Sequence, residues 1–119
     1  MSTSELKFRV AESTTEWAQD KLDLSIVDIA EVLGISRRTI QRWQQKQNVP
    51  SRTHLEQLEK LNELRFLLES VFKDYDTALK WLWSPSPFFK GRTPISLLRK
   101  AEIDPVLEIL ASIESGAYS

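Results

Sequence analysis

The sequence predicts an all-α protein in which an N-terminal helix-turn-helix bundle packs with a C-terminal helical domain. Apolar residues recur at helical spacing through most of the chain, and no stretch of strand length alternates with a period of two. A serine, threonine or aspartate precedes most of these periodic segments, and two of these start signals are followed directly by proline. Together these patterns favour helices joined by short loops.

The first helix is predicted to begin at a capping box. Residues 1–12 are expected to form a flexible, loosely ordered tail, and Ser13 with Glu16 then supplies the cap signal. This helix would carry Trp17 and reach about Leu24.

Residues 26–44 have the pattern of a helix-turn-helix. Ser25 and Asp28 form a second capping signal, and the apolar residues that follow lie on one helical face. Gly34 stands where this helix must stop, because glycine adopts the left-handed conformation without steric cost. Ser36 can cap the next helix, which would bury Ile40 and Trp43. We assign residues 13–54 to this unit and residues 55–119 to a second helical domain.

The second domain is predicted to begin with a long amphipathic helix. Thr53 with Glu56 forms its capping box, and its leucines, which extend towards Phe72, are expected to form core rather than a dimer seam. Start signals for three later helices and a glycine closing the last one follow along the chain: Asp74, Thr93 with Pro94, Asp104 with Pro105, and Gly116.

The second helix of the motif has the composition of a recognition helix. Such a helix reads base edges in the major groove, where arginine pairs with guanine and glutamine with adenine. Residues 36–54 contain five Lys or Arg and no acid. The candidate DNA-binding residues are Arg37, Arg38, Thr39, Gln41, Arg42 and Lys46. The alternative is a two-helix packing unit with a solvated basic face.

Charge distribution supports a local nucleic-acid contact rather than indiscriminate coating. Residues 21–54 carry six basic and three acidic groups, whereas residues 55–119 carry eight basic and ten acidic ones, and the whole chain has net charge −1. There is no cysteine, no apolar run long enough for a membrane span and no secretory signal pattern, which suits a cytoplasmic protein.

The chain offers little for catalysis. His54 is the single histidine, three glycines form no phosphate-binding loop, and the carboxylates show no metal-ligand spacing. We therefore expect a binding protein rather than an enzyme, without cofactor or metal.

The C-terminal half contains a Trp-Leu pair, a proline loop, a Gly-Arg-Thr-Pro helix start and an Ile-Glu-x-Gly-x-Tyr ending. The residues are Trp81, Leu82, Pro85, Pro87, Gly91, Arg92, Thr93, Pro94, Leu97, Leu98, Val106, Leu110, Ile113, Glu114, Gly116, Ala117 and Tyr118. This order resembles the toxin-binding domain of the MbcA/ParS/Xre antitoxins, which partner RES-domain toxins in bacteria. An Xre-type helix-turn-helix precedes that domain in the family, as the predicted motif does here.

The resemblance implies the antitoxin of a RES-Xre type II toxin–antitoxin system. Such antitoxins bind the toxin and usually their own promoter, so that the complex represses its operon, and RES toxins consume NAD or transfer ADP-ribose from it. The family's C-terminal segment blocks the toxin's active-site cleft, which corresponds here to residues 113–119. The toxin-binding residues implied are Arg92, Ile113, Glu114, Gly116, Ala117, Tyr118 and Ser119.

Several readings stay open at this point. Arg92 could face either an acidic toxin surface or the chain's own helix end. A stand-alone helix-turn-helix transcriptional regulator, without a toxin partner, is the main alternative, and a motif that serves only assembly is a third. In the DNA-binding readings a homodimer on double-stranded operator DNA is expected, because recognition helices usually act in symmetry-related pairs. The chain also departs from the family in having Phe88, Phe89 and Lys90 before a single Gly91, where a doubled glycine is frequent.

Overall fold

The computed structural model describes residues 2–116, which form seven α-helices and one short 3₁₀ helix without any strand. The all-α prediction is thereby confirmed. The helices are α1 (Thr3–Leu22), α2 (Ile26–Leu33), α3 (Arg37–Gln44), α4 (Arg52–Val71), α5 (Tyr75–Leu82), α6 (Pro94–Arg99) and α7 (Ile103–Glu114), with the 3₁₀ helix (Pro87–Phe89) between α5 and α6.

Helix α1 begins well before the predicted capping box. The side chain of Ser2 accepts a hydrogen bond from the backbone N–H of Glu5, and Ala11 is buried in the core. Ser13 therefore lies in the middle of the helix. The predicted start at that residue is wrong, and residues 3–12 are helical rather than a loose tail, because tertiary packing outweighs the local cap signal.

The helix-turn-helix follows its predicted pattern closely. Ser25 and Asp28 exchange reciprocal hydrogen bonds of 3.1 and 3.0 Å, which complete the capping box of α2. Gly34 ends α2 in the left-handed conformation at φ 67°, and Ser36 caps α3. Ile40 is fully buried, so α3 is seated on α1 and α2 by its apolar side.

Helix α4 is the centre of the molecule. It packs against α1 and α2 and also against α5 and α7, so both halves contribute to one hydrophobic core. Its buried leucines are Leu58, Leu61, Leu64, Leu67 and Leu68, which confirms that they form core. The predicted cap at Thr53 is wrong, because Ser51 caps the helix by accepting from the N–H of His54.

The C-terminal helices keep two of their three predicted starts. Asp74 caps α5, and the backbone hydrogen bond from Thr77 holds the pKa of this carboxyl below its usual range. Thr93 caps α6 ahead of Pro94. Asp104 does not cap α7, because the helix already begins at the buried Ile103, one residue before Asp104. Asp104 instead pairs with Lys60 on α4 at 3.1 Å.

Candidate functional site

The predicted DNA-binding residues share one surface on α3. Arg37, Arg38 and Gln41 are exposed, and Thr39 and Arg42 are partly exposed, while Ile40 and Trp43 point into the core. The Thr39 hydroxyl lies 2.8 Å from the capping hydroxyl of Ser36, so it is engaged at the start of the helix. Lys46 follows α3 in a left-handed conformation with φ 58° and is exposed.

The arginines of this surface differ in their pairing from most of the other arginines of the chain. Four arginines elsewhere are each paired with an acid: Arg52 with Glu56 at 3.8 Å, Arg65 with Glu69 at 3.8 Å, Arg92 with Glu102 at 3.7 Å, and Arg99 with Asp28 at 3.4 Å. Within residues 2–116, the arginines of α3 form no ion pair. Their charge is therefore left available for an anionic partner.

The orientation of α3 is supported from behind by an aromatic contact. The ring of Trp43 is almost completely buried and meets the ring of His54 edge-on, with centroids 5.6 Å apart. His54 thus packs at the start of α4 against the inner side of α3. This contact braces the helix that carries the basic surface.

The structure also brings α1 to the end of α3, which the sequence did not indicate. A shallow depression next to Lys46 is lined by Phe8, Arg9 and two glutamates of α1, Glu5 and Glu12. Among the described residues Arg9 forms no ion pair, so it adds a cation beside the α3 surface. Sequence reasoning missed it because the residue fell in the presumed tail.

The predicted C-terminal contact residues do not form one cluster. Arg92 pairs with Glu102 at the start of α7, and its Nε donates to the carbonyl of Phe89 at 3.4 Å, so it faces the chain's own helix end. Ile113 lies in the last turn of α7, roughly 16 Å from Glu102 at 1.5 Å per residue. Ile113 is partly buried, whereas the neighbouring Glu114 and Gly116 are exposed. Ala117, Tyr118 and Ser119 lie outside the described residues.

Comparison with known proteins identifies two regions. Residues 67–116 match the antitoxin Xre/MbcA/ParS C-terminal toxin-binding domain, and residues 16–48 match the homeodomain-like domain family. The mycobacterial cidal antitoxin MbcA of Mycobacterium bovis is 28% identical over 109 residues, which cover 92% of this chain and 96% of that protein. The protein of the same name from Mycobacterium tuberculosis matches equally. These matches support the predicted MbcA/Xre-type antitoxin.

A solved structure agrees with this assignment. A chain in the crystal structure of the M. tuberculosis MbcT–MbcA toxin–antitoxin complex superposes on the antitoxin with a TM-score of 0.64. The two are 25% identical, and the match covers 94% of this chain and 96% of the other. The matched regions fall within the predicted units 13–54 and 55–119, although the limits of those units stay predictions.

The toxin-binding domain of the antitoxin contains a surface groove that the sequence did not reveal. It lies between the 3₁₀ helix, α6 and α7 and is lined by Lys90, Arg92, Leu97, Pro105 and Ile109, among others. Because the residues of the groove come from three separate segments, no local sequence pattern predicted it. Together with the end of α7, it gives this antitoxin two exposed regions within the toxin-binding domain.

A hydrogen-bond chain ties α1 of the antitoxin to the toxin-binding domain. The indole N–H of Trp17 donates to the Tyr75 hydroxyl at 2.8 Å, and this hydroxyl donates to the carboxylate of Glu69. Burial, together with the bond to Glu69, raises the pKa of Tyr75 above its ordinary value. The phenol is therefore held protonated as a donor.

Residues 2–116 contain no group of three or more His, Cys, Asp or Glu side chains that could hold a metal ion. Over the same residues, none of the helices is both long and apolar enough to cross a membrane.

Proposed function

We propose that this antitoxin neutralises a RES-domain toxin, one that degrades NAD or transfers ADP-ribose from it, and also binds operator DNA to repress its own operon. The observation that carries this view is the union of two features in one chain. A match to a toxin-binding domain covers residues 67–116, and a helix-turn-helix presents arginines that have no acidic partner among residues 2–116. The toxin class comes from the family resemblance.

On the toxin side, the C-terminal segment acts as the blocking element. Helix α7 ends at Glu114, and the exposure of this residue supports a contact that begins at the end of the helix. In this view Ile113, Glu114 and Gly116 begin the contact, and Ala117, Tyr118 and Ser119 complete it. Arg92 acts from a different part of the surface, beside the groove at α7.

On the DNA side, α3 enters the major groove. Arg37, Arg38, Gln41 and Arg42 contact bases or phosphates, and Lys46 contacts the backbone. Replacing Arg38 with alanine is expected to cost about 1–3 kcal/mol of operator affinity if it pairs with a guanine. Arg52→Ala is the matched control, since that arginine is already paired with Glu56. If the Arg38 variant and wild type bind operator DNA with equal affinity, Arg38 does not contact a base.

We also include a homodimer, which pairs two recognition helices on operator DNA. Helices α1 and α4 lie side by side, and the groove between them is lined by Leu6, Val10 and Leu55 with Lys7 and Glu59. Leu6 and Val10 are 52% and 40% exposed, which is high for apolar side chains. Lys7 and Glu59 give the groove one cation and one anion, so a second copy offers it opposite charges as well as apolar side chains. The occupant of the groove is therefore a second copy of this chain.

A non-enzymatic, cofactor-free role in the cytoplasm follows from these two partners, toxin and operator. The alternative is a stand-alone transcriptional regulator without a toxin. Co-expression with the product of the adjacent reading frame, with host growth and cellular NAD as readouts, separates the two. The antitoxin role requires that the neighbour alone arrests growth and lowers NAD and that this chain restores both. A harmless neighbour would favour the regulator.

The blocking mechanism is tested by removing residues 117–119, which leaves α7 intact up to Glu114. Neutralisation should be lost while operator binding persists. The larger deletion of residues 113–119 extends the test to the predicted segment as a whole. If the shorter chain still protects the host fully, the toxin is held by another surface, and the groove lined by Lys90 and Ile109 becomes the next object of mutation.

A further inference from the structure

Asp28 holds two groups at the start of α2. Its Oδ2 accepts from the backbone N–H of Ser25 at 3.0 Å, which completes the capping box. Its Oδ1 lies 3.4 Å from Nε of Arg99, the last residue of α6 in the toxin-binding domain. The Asp28 side chain is only 22% exposed, so this pair is better shielded from solvent than the other ion pairs of the described chain. An ion pair thus joins the helix-turn-helix to the toxin-binding domain.

The guanidinium of Arg99 also lies against an aromatic ring. Its central carbon lies 5.0 Å from the ring centroid of Trp83, the residue that follows α5. A cation over an indole face at this distance is attracted by the ring quadrupole, and the planar guanidinium stacks well. Trp83 therefore restricts the directions that Arg99 can take and keeps it aimed at Asp28.

A second contact joins α2 to the same part of the toxin-binding domain. A Cβ placed on Gly34, at the end of α2, would lie 3.7 Å from Cβ of Ala101. Ala101 lies two residues after the last residue of α6 and adopts φ 59°, which a residue other than glycine rarely takes. The end of α6 and the residues just after it thus meet α2 near its start and near its end. Helix α2 packs in turn against α3.

We propose that Arg99 is a positioning residue: it mounts the helix-turn-helix on the toxin-binding domain, so that operator affinity depends on a side chain outside the DNA-binding unit. The part concerning affinity rests on the proposed operator binding. Arg99 acts through Asp28 and α2 on the orientation of α3, and it makes no contact with DNA itself.

The test compares Arg99→Gln and Asp28→Asn with Lys60→Gln in the full-length chain. Lys60→Gln is the control, because it also breaks an ion pair between two helices, the 3.1 Å pair between Lys60 on α4 and Asp104 on α7, which involves neither α2 nor α3. Glutamine keeps much of the side-chain volume, and asparagine can still accept from Ser25. Circular dichroism verifies that each variant is folded. The two readouts are amide hydrogen exchange over residues 25–45 and operator affinity measured across a salt series.

Arg99→Gln should speed exchange in α2 and α3 and weaken operator binding, each by about threefold to tenfold, with the salt dependence unchanged. Arg99→Lys should fall between wild type and Arg99→Gln, because lysine keeps the charge but loses the planar stacking. For Asp28→Asn, the direction of the change in operator affinity separates two explanations. Removal of an acid near DNA should strengthen binding by electrostatics alone, whereas loss of positioning weakens it. The Lys60 control should match wild type in both readouts.

Two results would overturn the assignment. The first is wild-type exchange and affinity in both the Arg99→Gln and Asp28→Asn variants. The second is weaker binding by Arg99→Gln accompanied by a salt slope reduced by about one, which would make Arg99 a phosphate contact. A wild-type chain that binds no operator would refute the proposed DNA role separately, and hydrogen exchange alone would still decide the role of Arg99 in holding α2.

Discussion

Replacing Tyr75 with phenylalanine isolates the hydrogen-bond chain between α1 and the toxin-binding domain. The phenol oxygen is the acceptor for the indole N–H of Trp17, and Trp17 is only 4% exposed. When the acceptor is lost, this N–H has little access to water. Glu69 lies at the other end of the hydrogen-bond chain, is exposed and keeps its ion pair with Arg65 at 3.8 Å. Loss of the hydrogen bond from Tyr75 to Glu69 therefore costs little stability.

The expected loss of stability is therefore dominated by the Trp17 donor. A buried donor left without a partner costs about 1–3 kcal/mol, and we expect the free energy of unfolding of Tyr75→Phe to fall by that amount. In urea unfolding the midpoint should drop while the slope m stays constant, because the surface exposed on unfolding hardly changes. Glu69→Gln is the matched control. It leaves an acceptor for the Tyr75 hydroxyl and should change stability by less than about 0.5 kcal/mol.

The same variant also tests how folding stability changes at alkaline pH. Burial, with help from the bond to Glu69, raises the pKa of Tyr75 above 10.0, so the folded state favours the neutral phenol. A group whose pKa is higher in the folded state contributes its full stability below the unfolded pKa and loses it as the pH rises through the folded pKa. Wild type should therefore lose stability above about pH 10 more steeply than Tyr75→Phe, which has no ionisable group at this position.

Either of two outcomes would refute this reasoning. If Tyr75→Phe has the wild-type urea midpoint at neutral pH, the indole N–H of Trp17 has found another acceptor. If the stabilities of wild type and variant run parallel from pH 8 to 11, ionisation of Tyr75 is not linked to folding.

Three further predictions concern α3, the end of α6 and the α1–α4 groove. Ile40→Ala should cost about 2–5 kcal/mol in chemical unfolding, because this fully buried side chain seats α3, and a smaller loss would mean that the site collapses around the cavity. Ala101→Gly should raise the thermal midpoint through a gain of about 0.5–1 kcal/mol, since φ is 59° there, whereas Ala111→Gly in the middle of α7 should lower it. Val10→Glu should shift sedimentation from dimer to monomer while Glu16→Gln does not, and an unchanged sedimentation coefficient in both would place the dimer interface elsewhere.

The local signals predicted those helix ends at which no tertiary contact competes. The Ser25–Asp28 box, Gly34 and the Thr93 cap with its proline all form as expected, because each satisfies backbone groups within its own turn. Ser13 and Thr53 carry equally good signals and still lie inside helices. In the first case burial of Ala11 and the cap at Ser2 extend the helix, and in the second Ser51 caps the helix two residues earlier.

The candidate site divides in the same way. The basic surface of α3 was predictable, because residues at helical spacing share a face whatever surrounds the helix. The partners of Arg92 and Arg99 were not, since Glu102 and Asp28 reach them only through the packing of α6 against α7 and α2. Arg9 was missed for a related reason, because its neighbour Lys46 comes close only once α1 is helical to its start.

The shared core around α4 has a consequence for how long the two activities last in a cell. The segment between α3 and α4, residues 45–51, is exposed except at Pro50 and is therefore open to a protease. A cut there would leave the N-terminal fragment without the leucines of α4 that cover it, and the C-terminal fragment without α1 and α2. Each fragment would expose to water the apolar surface that is buried in the intact chain. In the role proposed above, a single proteolytic event would end repression and toxin inhibition together, so the two activities would share one half-life.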